Sequence, residues 1–200
     1  MSLITVFGTK DFLSFTSDGR LNANSESVRE DYKKILRLSD DIVIGATGSH
    51  NQAKSLFEIS PYWLKESKND IEIFANTIRS IVLSDIPKNK FPRIDLHIVV
   101  GGINLNNEIA VYVFTNDPDF LLQTQILLED TKYYLALGKS SALDKLENLI
   151  EGEKGISIER IKEIQRIVNS QIAATDNTVN EVTFNEIITK LIWKHKCLTT

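Results

Sequence analysis

The stretch FLSFTSDGR, residues 12–20, alternates apolar and polar side chains and then stops on an Asp-Gly pair. A period of two predicts a half-buried strand from Phe12 to Ser17. Asp18-Gly19 carries two readings. Glycine accepts positive φ and aspartate bonds its own backbone, so the pair can simply make a turn. Alternatively, Asp18 ends the strand as a functional carboxylate, and the rest of the chain must then supply its partners.

Working outward, Leu3 to Gly8 reads as a strand, joined to the first by the short polar connection TKD as a hairpin. LNANSESVRED reads as a polar loop. YKKILRLSDDIVIGATG then repeats the hairpin pattern, with SDD turning between Lys34–Leu38 and Ile42–Ala46. The chain is thus expected to open with four short strands.

From Ser49 the period changes. Ala53, Leu56, Phe57, Trp63 and Leu64 fall at helical spacing, with Pro61 at the first turn of a restarted helix. A second helix fits Ile71 to Leu83, where Ile71, Phe74, Ala75, Ile78 and Val82 form one stripe and Asp70 or Asn69 caps the start. Pro87 and Pro92 bracket a loop. IDLHIVVGGINLNNEIAVYVFTND reads as two strands whose connection is marked by Gly101-Gly102 and Asn106-Asn107. KYYLALGKSSALDKLENLIEG is strand, Gly138, helix. SIERIKEIQRIVNSQIAA is an amphipathic helix opened by Ser157, and NEVTFNEIITKLIWKH ends in strand-like alternation.

Hairpins in blocks, separated by helix pairs, predict two antiparallel sheets with helices on their outer faces. The expected fold is α+β, a four-layer αββα sandwich, with residues 1–200 as a single domain.

The totals exclude several functions. The 200 residues suffice to bury a core without disulfides or metals, and 23 basic against 27 acidic side chains leave a net charge of -4. That balance argues against non-specific nucleic-acid binding. Cys197 is the sole cysteine, so a disulfide framework, a cysteine zinc site and a Cys-His catalytic pair all lack parts. His50, His97 and His195 are scattered without metal-ligand spacing, and no metal or cofactor is expected. MSLITVFG has no basic n-region, and no segment approaches the ~20 apolar residues of a membrane span, so a cytoplasmic location without membrane partners is expected.

Four segments in one order, FTSDGRLNA (15–23), YKKILRLSDDIVIGATGS (32–49), YLALGKSSA (134–142) and IAATDNT (172–178), resemble the proteasome β-type N-terminal-nucleophile hydrolases. That group includes the bacterial peptidase HslV and the ancestral β-type called Anbu. The resemblance implies a nucleophile on the first residue of the processed chain, whose own α-amine is the general base. Such an amine titrates near about 7.7–8.0, suited to proton transfer at neutral pH.

Counting back from Asp18 places the implied nucleophile at Ser2, where the family usually has threonine, and removal of Met1 would expose it. No long propeptide is then required. The family's essential lysine corresponds to Lys34, with Lys33 as the alternative; its charge would lower the nucleophile's pKa and Asp18 would hold it. Gly48 corresponds to the oxyanion-hole glycine, ahead of a helix whose positive end begins near Ser49, although it also reads as a plain turn glycine. Asp176 resembles the aspartate that orients the nucleophile, with Thr178 in place of a downstream serine. Where the family has serine after the glycine of YLALG, this chain has Lys139, followed by Ser140 and Ser141.

The resemblance further implies self-association into a ring or spiral, peptide or unfolded-protein substrates and an ATPase unfoldase as a candidate partner. Two other readings stay open from sequence: a non-catalytic subunit that keeps the fold, and a small-molecule amidohydrolase.

Overall fold

The structure is a computed structural model that describes residues 2–23, 26–84, 96–153 and 155–190. Met1, the Pro87–Pro92 loop, His195, Cys197 and the end of the expected last strand lie outside the described residues.

Before the first helix come β1 (Ile4–Gly8), β2 (Phe12–Asp18), β3 (Leu21–Ala23), β4 (Glu26–Arg29), β5 (Ile35–Arg37) and β6 (Ile42–Thr47). Helices α1 (His50–Glu66) and α2 (Ile71–Ser84) follow, then β7 (His97–Ile103), β8 (Ile109–Thr115), β9 (Gln123–Leu127) and β10 (Tyr133–Leu137). The chain continues through α3 (Ser141–Ile150), α4 (Ile158–Ala173) and β11 (Thr183–Thr189). One sheet runs β10-β1-β2-β11 and the other β5-β6-β7-β8-β9, with β3 and β4 as a separate ribbon. Pairing is antiparallel, with Val6 opposite Phe15 in the first sheet and Ile44 opposite Val100 in the second.

Alternation along each strand assigns side chains to layers. Val43 joins Ile4, Val6, Leu13, Phe15, Val99 and Val111 between the sheets. Its neighbours Ile42 and Ile44 face Leu56, Phe74 and Ile78 of α1 and α2. On the far side Phe7 and Phe12 meet Leu146, Ile161, Ile164 and Val168 of α3 and α4. The fold is the αββα sandwich, and three apolar layers hold its four layers together.

Several local expectations are corrected. β2 is buried along its whole length, because its polar face is covered as well as its apolar one. Gln165 of α4 is fully buried there; its Oε1 accepts from Ser14 Oγ at 2.6 Å and Thr16 Oγ1 at 3.0 Å, and its Nε2 donates to the Thr5 carbonyl at 3.1 Å. The expected polar loop after Gly19 holds the β3–β4 ribbon, so six strands precede α1. Pro61 lies inside α1 and does not restart a helix. Packing of Leu56 and Leu64 against the sheet carries α1 across the lost N–H.

Gly101 and Gly102 lie within β7, not at its turn. A Cβ on Gly101 would stand 2.6 Å from Phe15 Cζ, and one on Gly102 2.1 Å from the Asp41 carbonyl oxygen. Gly101 makes room for the facing sheet, and Gly102 for the backbone before the neighbouring β6 and for Ile71 of α2. The expected cap of α2 is present in Asp70, whose Oδ1 accepts from the Glu72 and Ile73 amides at 2.9 and 3.2 Å. Ser157 caps α4 by accepting from the Arg160 amide at 3.1 Å.

Candidate active site

β2 ends on Asp18 beside the start of β1. Its Oδ1 accepts from the Leu3 amide at 2.7 Å and from Lys34 Nζ at 2.6 Å, while Oδ2 accepts from the Arg20 amide at 3.0 Å. Lys34 Nζ also donates to the Asp18 carbonyl oxygen at 3.2 Å. The side chains of Asp18 and Lys34 are 0% and 3% exposed. Burying either charge alone would be costly, and each is held here by the other and by backbone groups. Burial pulls the Lys34 ammonium below its ordinary lysine range, with the charge of Asp18 opposing.

The Asp-Gly turn is closed by the bond to the Arg20 amide, and the same carboxylate pairs with the buried Lys34 ammonium. Lys33, the sequence alternative, points outward. It pairs with Glu186 of β11, which also takes Arg37 Nε at 2.8 Å and so clips β5 to the other sheet.

Ser2 is half-buried and directly precedes the Leu3 amide that Asp18 holds. Gly138 backs it: at φ +87° a Cβ would lie 1.8 Å from the Ser2 carbonyl oxygen, so only glycine fits. Gly48, at φ +112°, forms the exposed corner between β6 and α1. It follows Ala46 by two residues, and the Ala46 amide donates to the Lys34 carbonyl at 3.1 Å. Ser49, at the helix start, makes no side-chain cap bond. Tyr32 and His50 stack edge-on across this corner with ring centroids 4.8 Å apart.

Asp176 follows α4 in the chain. One oxygen pairs with Lys139 Nζ, and the other accepts from the Thr178 amide at 2.8 Å and the Thr178 hydroxyl at 2.5 Å. Burial works against its charge, but the Lys139 and Thr178 bonds outweigh it and hold the carboxyl at about 2. The Lys139 departure from the family pattern is thus the partner of Asp176, a pairing that no spacing in the sequence signalled.

Sequence reasoning also missed the polar stitching behind Asp18. Asn180 Oδ1 accepts from the Gly19 amide at 2.8 Å, Asn22 Nδ2 donates to the Thr178 carbonyl at 3.0 Å, and Arg20 Nη1 to the Asn177 carbonyl. Nothing in residue type separates these from ordinary loop polarity. Among the described residues no group of three or more His, Cys, Asp or Glu could hold a metal, and no helix is long and apolar enough to cross a membrane.

This architecture occurs among solved structures. The crystal structure of eukaryotic HslV from Trypanosoma brucei matches 94% of this chain and 99% of its own, with a TM-score of 0.68 and 20% identity. The fold is that of the proteasome-like N-terminal-nucleophile hydrolases. A curated relative, proteasome subunit beta type-1-B of Carassius auratus, is 27% identical over 158 residues. That match covers 78% of this chain and 62% of the relative's length. No protein-family model matches the chain. Within the proteasome-like fold, Asp18 and Lys34 meet where β2 ends beside the start of β1, and Asp18 also holds the Leu3 amide.

Proposed function

We propose that the chain is a subunit of a proteasome-like peptidase in which Ser2, exposed by removal of Met1, is the N-terminal nucleophile. The observation that supports this best is the sharing of Asp18 Oδ1 between the Leu3 amide and Lys34 Nζ, which ties residue 2 to a buried cation. The Ser2 α-amine takes the hydroxyl proton as Oγ attacks the scissile carbonyl carbon. The tetrahedral oxyanion is met by the Gly48 N–H and the positive end of α1. Collapse breaks the C–N bond, the amine returns the proton to the leaving nitrogen, and an ester on Ser2 remains. Water activated by the same amine then hydrolyses that ester. Lys34 supplies the positive charge that favours the alkoxide, and Asp18 holds Lys34.

Peptides are the substrate class in this reading, and self-association into a ring or spiral, with an ATPase unfoldase as partner, belongs to it. The exposed Tyr62 on α1 and Ile73 on α2, at 59% and 54%, fit such packing between copies. A stable monomer by light scattering would speak against assembly.

One observation favours a non-catalytic subunit instead: Asp176, the residue expected to orient the nucleophile, is taken by Lys139. Hydrolysis of a fluorogenic peptide panel by the chain with a verified Ser2 terminus separates the two. The peptidase reading expects turnover that Lys34→Ala lowers by orders of magnitude and Lys33→Ala leaves near wild type. Absence of turnover despite a free Ser2 favours the non-catalytic subunit.

A further inference from the structure

The peptide that joins Asp18 to Gly19 is bonded at both of its ends. Its carbonyl oxygen accepts from Lys34 Nζ at 3.2 Å, and its N–H donates to Asn180 Oδ1 at 2.8 Å. A peptide unit is planar, so fixing the direction of the N–H fixes the direction of the carbonyl.

Asn180 is itself clamped. It is 6% exposed, its Nδ2 donates to the Glu30 carbonyl at 2.8 Å and to Glu30 Oε2 at 2.6 Å, and its own carbonyl accepts from Asn169 Nδ2 of α4 at 2.6 Å. Its amide orientation follows from these partners, since two acceptors face Nδ2 and one donor faces Oδ1. The approach is close enough to exclude a side chain at position 19, where a Cβ would stand 2.7 Å from the Glu30 carbonyl oxygen.

An ammonium has three N–H groups in tetrahedral array. Lys34 directs one to the Asp18 carboxylate and one to the Asp18 carbonyl, and two fixed acceptors determine where the third points. We infer that Asn180 is a positioning residue for Lys34: by holding the Gly19 N–H it aims the Asp18 carbonyl at the ammonium and so sets the direction of the remaining N–H. A loop residue 162 positions beyond Asp18 thereby acts on the buried cation without touching it. The consequence for catalysis rests on the proposed peptidase reading; the geometric role does not.

The test uses the full chain with isotope-labelled lysine and glycine. Lys34 titration is followed by NMR at Cε and Nζ, with hydrogen exchange at the Gly19 amide, in wild type, Asn180→Ala and Asn180→Asp. Alanine removes the acceptor, so Gly19 exchange should rise about tenfold or more, and the Lys34 midpoint should fall by about half a pH unit or more as a fixed acceptor for the charged form is lost. Aspartate keeps the acceptor and brings a negative charge, so Gly19 should stay protected and the Lys34 midpoint should not fall. A general loosening of the loop would lower both variants together, because alanine and aspartate alike lose the two donations from Asn180 Nδ2 to Glu30. Asn180→Ser, too short to reach Gly19, takes the place of alanine if that variant does not fold. Equal effects in the two variants, or an unmoved Lys34 in the non-reaching one, would overturn the inference. The titration needs no turnover, so an inactive chain still gives a result. In an active chain, Asn180→Ala should lower kcat about tenfold with KM within about twofold, and Asn180→Asp should restore most of kcat.

Discussion

Asp18 receives three hydrogen bonds on two oxygens in a site closed to solvent, so the Asp18–Lys34 pair is strongly interdependent. Asp18→Asn leaves the Lys34 ammonium buried without its counter-charge and should cost about 3–5 kcal/mol, as should Lys34→Met, which strands the carboxylate. The double variant should be far less destabilised than the sum of the two, because neither charge is then left alone. Urea denaturation of the four proteins closes this cycle, and additive losses would mean that the pair is not coupled. Asp176 gives a pH signature. Its carboxyl is held at about 2, below its unfolded value, so its stabilisation is fully present above the ordinary carboxylate range of about 3.9 and is lost as pH falls toward 2. The stability gap between wild type and Asp176→Asn should therefore be constant from neutral pH to about 5 and narrow below about 4. A gap that widens on acidification would contradict the Lys139–Asp176 pairing. At this scale the sequence was informative where side-chain chemistry is distinctive, as in Asp18 and Lys34. It was silent on Asn180 and on the partner of Lys139, because loop polar residues acquire meaning only from what the fold brings near.

Elements were legible where their apolar period was clear. α2, α4 and the β1–β2 and β5–β6 hairpins follow directly from spacing. The β3–β4 ribbon did not, because LNANSESVRED has no apolar alternation and pairs through backbone bonds. Pro61 read as a break because a local rule was applied where tertiary packing decides. The Gly101-Gly102 pair read as a turn for a similar reason, since a sequence does not show that Phe15 from the facing sheet needs the space at Gly101 and the Asp41 carbonyl the space at Gly102. Gly101→Val should force Phe15 from its position and cost about 1–3 kcal/mol by overpacking. A thermal or urea melt checks this, and a variant as stable as wild type would show that the sheet-to-sheet gap adjusts freely.

Across the whole molecule, two sheets packed face to face leave the end of β2, the lead-in to β5 and the start of β1 together, and the buried pair is fixed there by both sheets. The antiparallel double sheet was readable from blocks of hairpins separated by helix pairs. The cross-sheet clip through Glu186, Lys33 and Arg37 was not, because Glu186 lies 149 or more positions from the other two. Within this fold Ser2 is the proposed chain terminus, and its side chain the proposed nucleophile. Intact-mass measurement of the purified, peptide-cleaving chain, before and after trapping with a slowly hydrolysed peptide ester, tests that claim most directly. The expected result is a chain lacking Met1 that gains one acyl group on Ser2, with no adduct and at least about a thousandfold lower turnover in Ser2→Ala. Quantitative retention of Met1 in a chain that still cleaves peptides, or undiminished turnover in Ser2→Ala, would contradict it.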